Sequence, residues 1–270
     1  MKKIKWYIVV IILVVAAIYS YYRYSETTIN TEVSIDKQVI DEDIFIPISE
    51  LPFTKTADEI IIHKKYALSY NEECEQANWV AYILTKDNLV KNFKRKNDFR
   101  IDSLVETETA ISKDYKKSGY DRGHLLPAAD MTFDKEALSE TFYYSNISPQ
   151  KPYFNRGIWL KMEKEVRKVC EKYDTVWVVT GPVLDGDFET IGEDEVAIPK
   201  YFYKVLLIRD NNKIEGVGFL IENKKSKQSI FNYCVPIDSV EKVSNIDFFY
   251  SLPDNIENEV EASFDLEYWK

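Results

Sequence analysis

The amino-acid sequence predicts an α+β fold built on a mixed or antiparallel sheet. Three observations support this class: strand-like segments outnumber helix-like ones, the two kinds do not alternate regularly, and one long segment has clear helical periodicity. No internal repeat and no second linker interrupts the chain after residue 55, so one domain is the simplest organisation. The 19 tyrosines among 270 residues suit a β-rich protein.

The amino terminus predicts a membrane anchor and a linker ahead of that domain. Lysines precede an apolar run and an aromatic flank that together span about 19 residues, enough to cross a bilayer as a helix. We expect residues 1–24 to be a transmembrane helix or, alternatively, a cleaved signal peptide. Residues 25–52 are predicted to be a polar linker, and residues 53–270 the domain. The lysines predict a domain on the non-cytoplasmic side, periplasmic or extracellular, and a secreted protein if the segment is cleaved.

Five apolar or alternating segments predict the strands of the domain. They are IIHKKYALSY, ANWVAYILT, TVWVVTGPVL, YFYKVLLIRD and VGFLIEN. The first two are typical of paired strands. Gly181 and Pro182 are expected to stop the third, because proline cannot donate a hydrogen bond to the next strand.

One segment, residues 156 to about 173, has the clearest helical pattern. Apolar residues recur there at four-residue spacing, and charged residues fill the other positions. The recurring residues are Ile158, Met162, Val166 and Cys170. A second, short helix is predicted to begin at Asp238, because Asp238 and Glu241 have the spacing of a capping box.

Net charge and cysteine content narrow the class of protein. The formal charge of −10 disfavours a passive nucleic-acid coat protein, but not an enzyme that touches a few phosphates at a local basic site. Cys74, Cys170 and Cys234 form no CxxC pair, so neither a zinc site nor a disulfide framework is indicated. We expect buried thiols, with one disulfide as the alternative.

Histidine gives the sharpest constraint on chemistry, because the sequence contains only two. An imidazole base acting near neutral pH must be His63 or His124. His63 lies in a strand-like run with no amide or carboxylate residue close behind it, so we expect a structural role. His124 lies in SGYDRGHLLPAADM, where Gly119 and Gly123 permit sharp turns and Arg122 offers a cation suited to phosphate oxygens. Taken alone, the triplet Arg122-Gly123-His124 is more typical of an ordinary turn.

Polar residues downstream of His124 strengthen a functional interpretation. SNISPQ contains Asn146, and FNRGIWLKMEKEVR has Asn155 at the start of the long helix and Glu163 eight residues later. By the 100° step of an α-helix, Asn155 and Glu163 lie about 80° apart around the axis. Structural alternatives stay open. Asn155 is also typical of a helix cap, and Glu163 of a solvated residue paired with Arg167. Asn146 also matches a glycosylation sequon.

The chain resembles the DNA/RNA non-specific endonucleases in three motifs that occur in that family's order. The motifs are SGYDRGHLLPAADM, ETFYYSNISPQ and FNRGIWLKMEKEVR. The family includes mitochondrial endonuclease G and secreted bacterial sugar-non-specific nucleases. Weaker similarity extends over essentially everything beyond residue 55. The resemblance implies a ββα-metal (His-Me finger) core, in which two strands, a loop and a helix hold one divalent ion, Mg²⁺ with Mn²⁺ as a substitute.

The resemblance also implies a role for each candidate residue. His124 would be the general base at the end of the first strand, and Asn155 the metal ligand at the start of the helix. Glu163 would hold metal-bound water, and Arg122 would contact a phosphate or the leaving group. Asn146 falls on a supporting position beside the site.

A further feature of the family is an upstream arginine that steadies the transition state. Arg95 in FKRKNDFRID is the best match, although Lys94, Lys96 and Arg100 leave the register open. The same basic stretch supplies local positive charge on an acidic protein. Contacts limited to phosphates position nucleic acid without reading its sequence.

Together these expectations describe a Mg²⁺-dependent endonuclease that hydrolyses DNA and RNA without sequence or sugar preference, with His124 activating water. Two alternatives are kept: a catalytically inactive, membrane-tethered nucleic-acid-binding module of the same fold, and a structural envelope protein. The expected partners are DNA and RNA through their phosphates, the membrane through the N-terminal helix, and a second copy of the chain, since such relatives are often dimers. An inhibitor partner would suit a nuclease, but the sequence identifies none.

Overall fold

The computed structural model describes residues 51–54, 59–211 and 213–270 of the chain. Within these ranges the strands are, in chain order, β1 Phe53–Thr54, β2 Glu59–Ile62, β3 Ala67–Asn71, β4 Gln76–Thr85, β5 Asp121–His124, β6 Ile147–Gln150, β7 Thr175–Pro182, β8 Thr190–Ile191, β9 Val196–Ala197, β10 Tyr201–Asp210, β11 Lys213–Glu222, β12 Cys234–Val235 and β13 Ile246–Asp247. The α-helices are α1 Ser112–Tyr115, α2 Lys135–Glu140, α3 Leu160–Tyr173, α4 Ile237–Ser244 and α5 Asp254–Ala262.

Seven of the described strands form one antiparallel sheet. Their order across the sheet is β12-β11-β10-β7-β4-β3-β2. The long central strands coincide with the apolar segments that predicted them, and β7 ends at Pro182, where the Gly-Pro pair was expected to stop it. The predicted α+β class with an antiparallel sheet is therefore confirmed.

The core lies between this sheet and one face of α3. The four residues whose spacing predicted the helix are all buried, each at most 1% exposed: Ile158, Met162, Val166 and Cys170. A fully buried aliphatic side chain contributes about 1.5–3 kcal/mol. The apolar stripe is thus sufficient to hold α3 against the sheet. It also determines which side of α3 faces away from the sheet.

A separate two-stranded ribbon, β5 with β6, precedes α3 in the chain. The strands are antiparallel, with Asp121 opposite Gln150 and His124 opposite Ile147. Gly123 of β5 lies so close to Gln150 that an added Cβ atom would be 2.1 Å from its Cδ atom, so only glycine fits. Two strands, a connecting segment and a helix therefore follow one another as the resemblance implies.

The long helix differs from its prediction at the amino end. A π-helical turn, Phe154–Trp159, leads directly into α3, which begins at Leu160. Asn155 lies inside this turn and does not cap the helix. Single π-helical turns inside or beside α-helices occur frequently at functional sites.

The short helix α4 also begins differently from its prediction. It starts at Ile237 with Pro236 as its N-cap, and no side-chain cap is formed. The capping box expected between Asp238 and Glu241 is wrong, because Glu241 accepts a hydrogen bond from the Phe248 backbone N–H instead, at 2.8 Å.

The predicted membrane helix, residues 1–24, lies outside the described residues, as does nearly all of the predicted linker. Within the described ranges no helix combines the length and apolar character needed to cross a bilayer. α3, at 14 residues, reaches about 21 Å, against about 30 Å of hydrocarbon core. The transmembrane part of the predicted fold is therefore unsupported. The domain boundary at residue 53 stays a prediction, and Leu51 is already buried against the core.

None of the three cysteines forms a disulfide. Cys74 and Cys170 are buried and Cys234 is half-buried. Burial raises the pKa of Cys170 and of Cys234 to about 12, so neither is a reactive thiolate near neutral pH. The structure agrees with the expectation of buried thiols and not with the alternative of a disulfide.

Candidate active site

His124 is the last residue of β5, and its side chain is enclosed by aromatic rings. The imidazole meets Phe142 edge-on, with ring centroids 5.0 Å apart, and Phe99 at 5.6 Å. Trp159 Nε1 donates to the His124 carbonyl oxygen at 3.2 Å, which ties the end of the strand to the π-helical turn. The imidazole Nε2 is buried and has no hydrogen-bond partner among the described residues.

Two arginines lie beside this imidazole. The Arg122 guanidinium lies 4.0 Å from the centroid of the Phe99 ring, and that of Arg95 lies 5.4 Å from the centroid of Phe142. Burial, and then the charges of Arg95 and Arg122, lower the pKa of His124 to about 3. The imidazole is therefore neutral near pH 7 and able to accept a proton, next to a concentration of positive charge suited to an anion.

One cleft of about 280 Å³ brings most of the candidate residues together. Its lining includes five of the six: Arg95, Arg122, His124, Asn155 and Glu163. An adjoining cleft of about 490 Å³ shares Arg95, Arg122 and Asn155 with it. Arg100, the other arginine in the basic stretch, instead donates to Asp98 and to the Ser139 carbonyl. Of the two arginines, Arg95 is thus the one placed at the cleft.

Asn146 lies behind the cleft rather than in it. Its side-chain oxygen accepts from Leu126 N–H at 2.9 Å, and its Nδ2 donates to the carbonyls of Leu126 and Thr141 at 3.0 and 2.9 Å. Its own carbonyl accepts from Leu125 N–H at 3.0 Å. Three of these four bonds hold the chain directly after His124, at Leu125 and Leu126. The glycosylation alternative does not fit, because Asn146 is 0% exposed and a glycan requires an accessible amide.

Asn155 is oriented by a carboxylate of the β5 ribbon. Its Nδ2 donates to Asp121 Oδ2 at 3.0 Å, and Arg156 donates to both oxygens of the same carboxylate at 2.8 and 2.5 Å. Because the amide nitrogen is committed to Asp121, the amide oxygen is the atom left for a cation. No sequence signal pointed to this hydrogen bond between Asn155 and Asp121.

Glu163 lies on α3 and is half-buried at the cleft. Burial raises its pKa to about 7, with Asp130 adding to the rise and Lys204 among the cations that oppose it. The alternative pairing with Arg167 is wrong, since Arg167 forms its ion pair with Asp130. Glu163 is therefore a carboxylate whose charge changes near neutral pH.

A buried charge network under the cleft was missed by the sequence reasoning. Lys204 is 0% exposed, and its Nζ donates to the Leu125 carbonyl at 3.3 Å and lies 4.8 Å from the Trp159 ring. Burial lowers the pKa of Lys204 to about 8. Asp130, also 0% exposed, accepts from Tyr82 at 3.1 Å. The available signal was a lysine inside the otherwise apolar run YFYKVLLI.

The donor groups of the cleft fit a Mg²⁺ ion. The Asn155 amide and the Glu163 carboxylate offer oxygen ligands, which Mg²⁺ prefers, and a small protein contribution suits an ion that keeps several waters. In the part of the chain that the structure describes, the one cluster of three or more acidic, His or Cys ligands at coordinating distance lies elsewhere. Such a donor set would suit an ion shared with a ligand more than one enclosed by protein.

Together, the ribbon, the π-helical turn, the helix and the cleft form the ββα arrangement that the resemblance implies. The model of the DNA/RNA non-specific endonuclease family matches residues 47–255, and the chain belongs to this family. It is a family of metal-dependent nucleases. The family that the three motifs indicated is therefore confirmed.

Named relatives and a solved structure agree with this assignment. The chain is similar to the mitochondrial nuclease EXOG of Xenopus laevis, 34% identical over 76% of this chain and 62% of that protein. It is 34% identical to the mitochondrial endonuclease G of Homo sapiens over 68% of this chain and 67% of that protein. A crystal structure of the EndoG/EndoGI complex, concerning EndoG inhibition, superposes with a TM-score of 0.69 and 32% identity, covering 73% of this chain and 88% of that chain. The chain thus spans less than two thirds of the frog relative.

The predicted localisation does not agree with these comparisons. Several relatives are named as mitochondrial nucleases, and the described residues contain no helix able to span a membrane. The expectation of a membrane-anchored enzyme with a periplasmic or extracellular domain is therefore wrong. The apolar amino-terminal run and the lysines before it were its whole basis, and these two features alone do not identify a compartment.

Proposed function

We propose that the chain is a Mg²⁺-dependent endonuclease that hydrolyses DNA and RNA without preference for sequence or sugar. One observation carries this proposal: a neutral, unpartnered His124 shares a cleft with two arginines and with the oxygen ligands of Asn155 and Glu163. The names of the relatives, which are nucleases, support the same activity.

His124 is the proposed general base. Water attacks the phosphorus atom while the imidazole takes its proton, which is the step that a neutral, poorly solvated imidazole can perform. In the free protein the neighbouring arginines oppose protonation of His124. A bound phosphodiester would offset their charge and raise the pKa of His124 toward neutrality, so that the base becomes stronger when substrate is present.

Arg95 and Arg122 are proposed to bind the scissile phosphate. A guanidinium presents a rigid set of donors to phosphate oxygens and stays charged throughout the reaction. Charge builds up on those oxygens as the fifth bond to phosphorus forms, so fixed cations stabilise the transition state more than the ground state. The stacking of Arg122 on Phe99 and of Arg95 on Phe142 holds both groups in place beforehand.

Asn155 and Glu163 are the residues that would hold the ion, Asn155 through its amide oxygen and Glu163 through an intervening water. When bound, Mg²⁺ supplies Lewis-acid polarisation of the phosphate and stabilises the departing oxygen. The Asp121 carboxylate accepts a hydrogen bond from the Asn155 amide nitrogen, so the amide oxygen of Asn155 is directed away from Asp121. Mn²⁺ is expected to replace Mg²⁺, because both are octahedral ions that accept oxygen ligands.

The proposed lack of specificity follows from which groups the cleft presents. Its charged side chains suit phosphate oxygens, and phosphate contacts do not read base identity. The proposed partners are accordingly DNA and RNA, with basic residues between positions 91 and 100 extending the contact. That the chain forms a homodimer and that an inhibitor protein binds it also stay predictions. Light scattering of the purified chain tests the first.

A plasmid-nicking assay tests the proposal. With Mg²⁺ the chain should convert supercoiled DNA to nicked and linear forms and degrade single-stranded RNA at a comparable rate, and excess EDTA should stop both reactions. Mn²⁺ should restore them. Binding without cleavage would instead identify the inactive nucleic-acid-binding module, and neither binding nor cleavage would identify a structural protein. Undiminished cleavage in EDTA would refute the metal assignment.

A further inference from the structure

A cluster of three carboxylates lies where α4 meets α5. Asp238 and Glu241 are one helical turn apart on α4, and Glu261 is near the end of α5. One carboxylate oxygen from each residue lies within 4.8 Å of the other two. None of the three residues lines the catalytic cleft. The cluster is therefore a feature separate from the proposed nuclease chemistry.

Glu261 is the unusual member, because its carboxylate is buried and incompletely bonded. The residue is 6% exposed, and its Oε1 atom has no hydrogen-bond partner in the described part of the chain. Leaving a buried polar group unpaired costs several kcal/mol if the group is charged, at the order of magnitude found for broken buried ion pairs. Since the Glu261 carboxylate lies beside those of Asp238 and Glu241, a cation bound at this position would be stabilised.

The ion pairs in the described part of the chain do not reach this cluster. The ion pairs found among the described residues include neither Asp238, Glu241 nor Glu261. Burial, reinforced by repulsion from Glu241 and Glu257, raises the pKa of Glu261 to about 9. Asp247 and Asp238 add repulsion of the same sign, so the largest charges that act on Glu261 are negative.

We propose that Asp238, Glu241 and Glu261 form a structural binding site for a hard divalent cation of the size of Ca²⁺. Ca²⁺ bonds to oxygen at about 2.3–2.6 Å, so two opposite ligands can be as much as ~5.2 Å apart, whereas opposite ligands of Mg²⁺, at about 2.1 Å, are only ~4.2 Å apart. Asp238 is exposed, which leaves one side open for water ligands and for exchange.

Such an ion would clamp the two helices that cover β11. Ile237 of α4 and Val260 of α5 both pack on Gly216, where an added Cβ atom would lie 2.6 Å from Ile237 Cδ1 and 2.7 Å from Val260 Cγ1. The apolar contacts therefore lie next to the acidic ones on the same two helices. By neutralising the carboxylates, the ion would remove the repulsion that opposes this packing.

Calcium binding by the full-length chain tests the site. Asn155→Ala is used as background so that the catalytic cleft does not contribute. After chelation and dialysis, calorimetry at pH 8 should show one Ca²⁺ per chain. A hundredfold excess over Kd should raise Tm by about 5 °C or more. In the same background Asp238→Asn with Glu261→Gln should abolish both effects. Glu257→Gln, the matched control, removes a neighbouring carboxylate outside the site and should keep the stoichiometry.

Either of two results would overturn the proposal. One is absence of Ca²⁺ binding at about 10⁻³ M, the weak end of natural calcium sites. The other is unchanged binding in the Asp238→Asn, Glu261→Gln variant. Should Glu261→Gln fail to fold, Asp238→Asn alone, at an exposed position, must still weaken Ca²⁺ by at least tenfold. With Asn155 intact, both substitutions should leave Mg²⁺-supported nicking unchanged, which separates this site from the catalytic one.

Discussion

The two histidines of the chain occupy opposite kinds of surroundings, although both are well enclosed. His63 is 6% exposed, and its Nε2 lies 2.8 Å from Asp102 Oδ2. The rings of Tyr66 and Tyr143 stack on it, with centroids 4.5 and 5.1 Å away. Asp102 accepts a further bond from Ser145 at 2.5 Å. Every contact of His63 is thus made within a closed structural cluster.

His124 differs in what its ring nitrogen meets. Its Nε2 has no partner among the described residues, and its charged neighbours are arginines rather than a carboxylate. Burial alone therefore does not separate a structural histidine from a reactive one. The hydrogen bonds that each ring makes, and the sign of the charge beside it, do separate them.

Substitution of His124 should have the largest effect on cleavage. His124→Ala removes the proposed base and should lower the nicking rate by about 10²–10⁴-fold. Nucleic-acid binding should persist, because Arg95 and Arg122 remain. Initial nicking rates and a filter-binding assay measure the two effects. Equal nicking rates for His124→Ala and the unaltered chain would contradict the assignment of His124 as the base.

The two asparagines extend the same comparison. Asn155→Ala should reduce cleavage at low Mg²⁺ by about 10²-fold, with partial recovery at high Mg²⁺, because it removes the proposed metal ligand. Asn146→Ala, the matched control, should lower stability instead, since it breaks three side-chain hydrogen bonds. Mg²⁺ titrations of the rate and urea unfolding distinguish the outcomes. Loss of stability without loss of Mg²⁺ response in Asn155→Ala would contradict the assignment.

Glu163 should give a smaller, pH-dependent effect. Its pKa of about 7 means that the carboxylate is charged above neutral pH and protonated below it. Apparent Mg²⁺ affinity should therefore fall as the pH is lowered from 8 to 6. Glu163→Gln should cost about tenfold in affinity at pH 8 and should flatten this dependence. A pH dependence that survives Glu163→Gln would assign the titration to another group.

Substitution of His63 should have the smallest effect on activity and a clear effect on stability. His63→Ala leaves Asp102 buried without its partner and should lower the free energy of unfolding by about 3 kcal/mol. Hydrogen bonds from His63 and Ser145 outweigh burial and lower the pKa of Asp102. Its stabilising contribution is therefore present above the ordinary aspartate pKa and is lost as the pH falls through the folded value. The nicking rate per folded molecule should not change. A hundredfold lower rate would show instead that His63 is catalytic.

Much of the fold was predictable because burial leaves a pattern in the sequence. β4 and β10 are nearly continuous apolar runs, the apolar face of α3 repeats at helical spacing, and all three lie where the pattern placed them. His124 could be placed at a strand end, and Asn155 near the start of a helix, because the motifs there resemble a known family.

The partners of the charged residues could not be predicted in the same way. Arg167 is four residues from Glu163, yet it pairs with Asp130, because tertiary contact outcompetes the local pair. Asp121 precedes Asn155 by more than thirty positions, and only the pairing of β5 with β6 makes their hydrogen bond. Lys204 lies on a central strand, and only the packing of that strand under the cleft gives it a role.

The π-helical turn at Phe154–Trp159 makes the direction of Asn155 depend on a count of residues. A π turn holds one residue more than an α turn, so each residue in it advances less than 100° around the axis. In an uninterrupted α-helix the eight-residue spacing would place Asn155 about 80° from Glu163. The wider turn reduces that angle and brings the two positions toward the same side of the helix. The extra residue, and not the α-helical period, therefore sets the direction of the proposed ligand relative to Glu163.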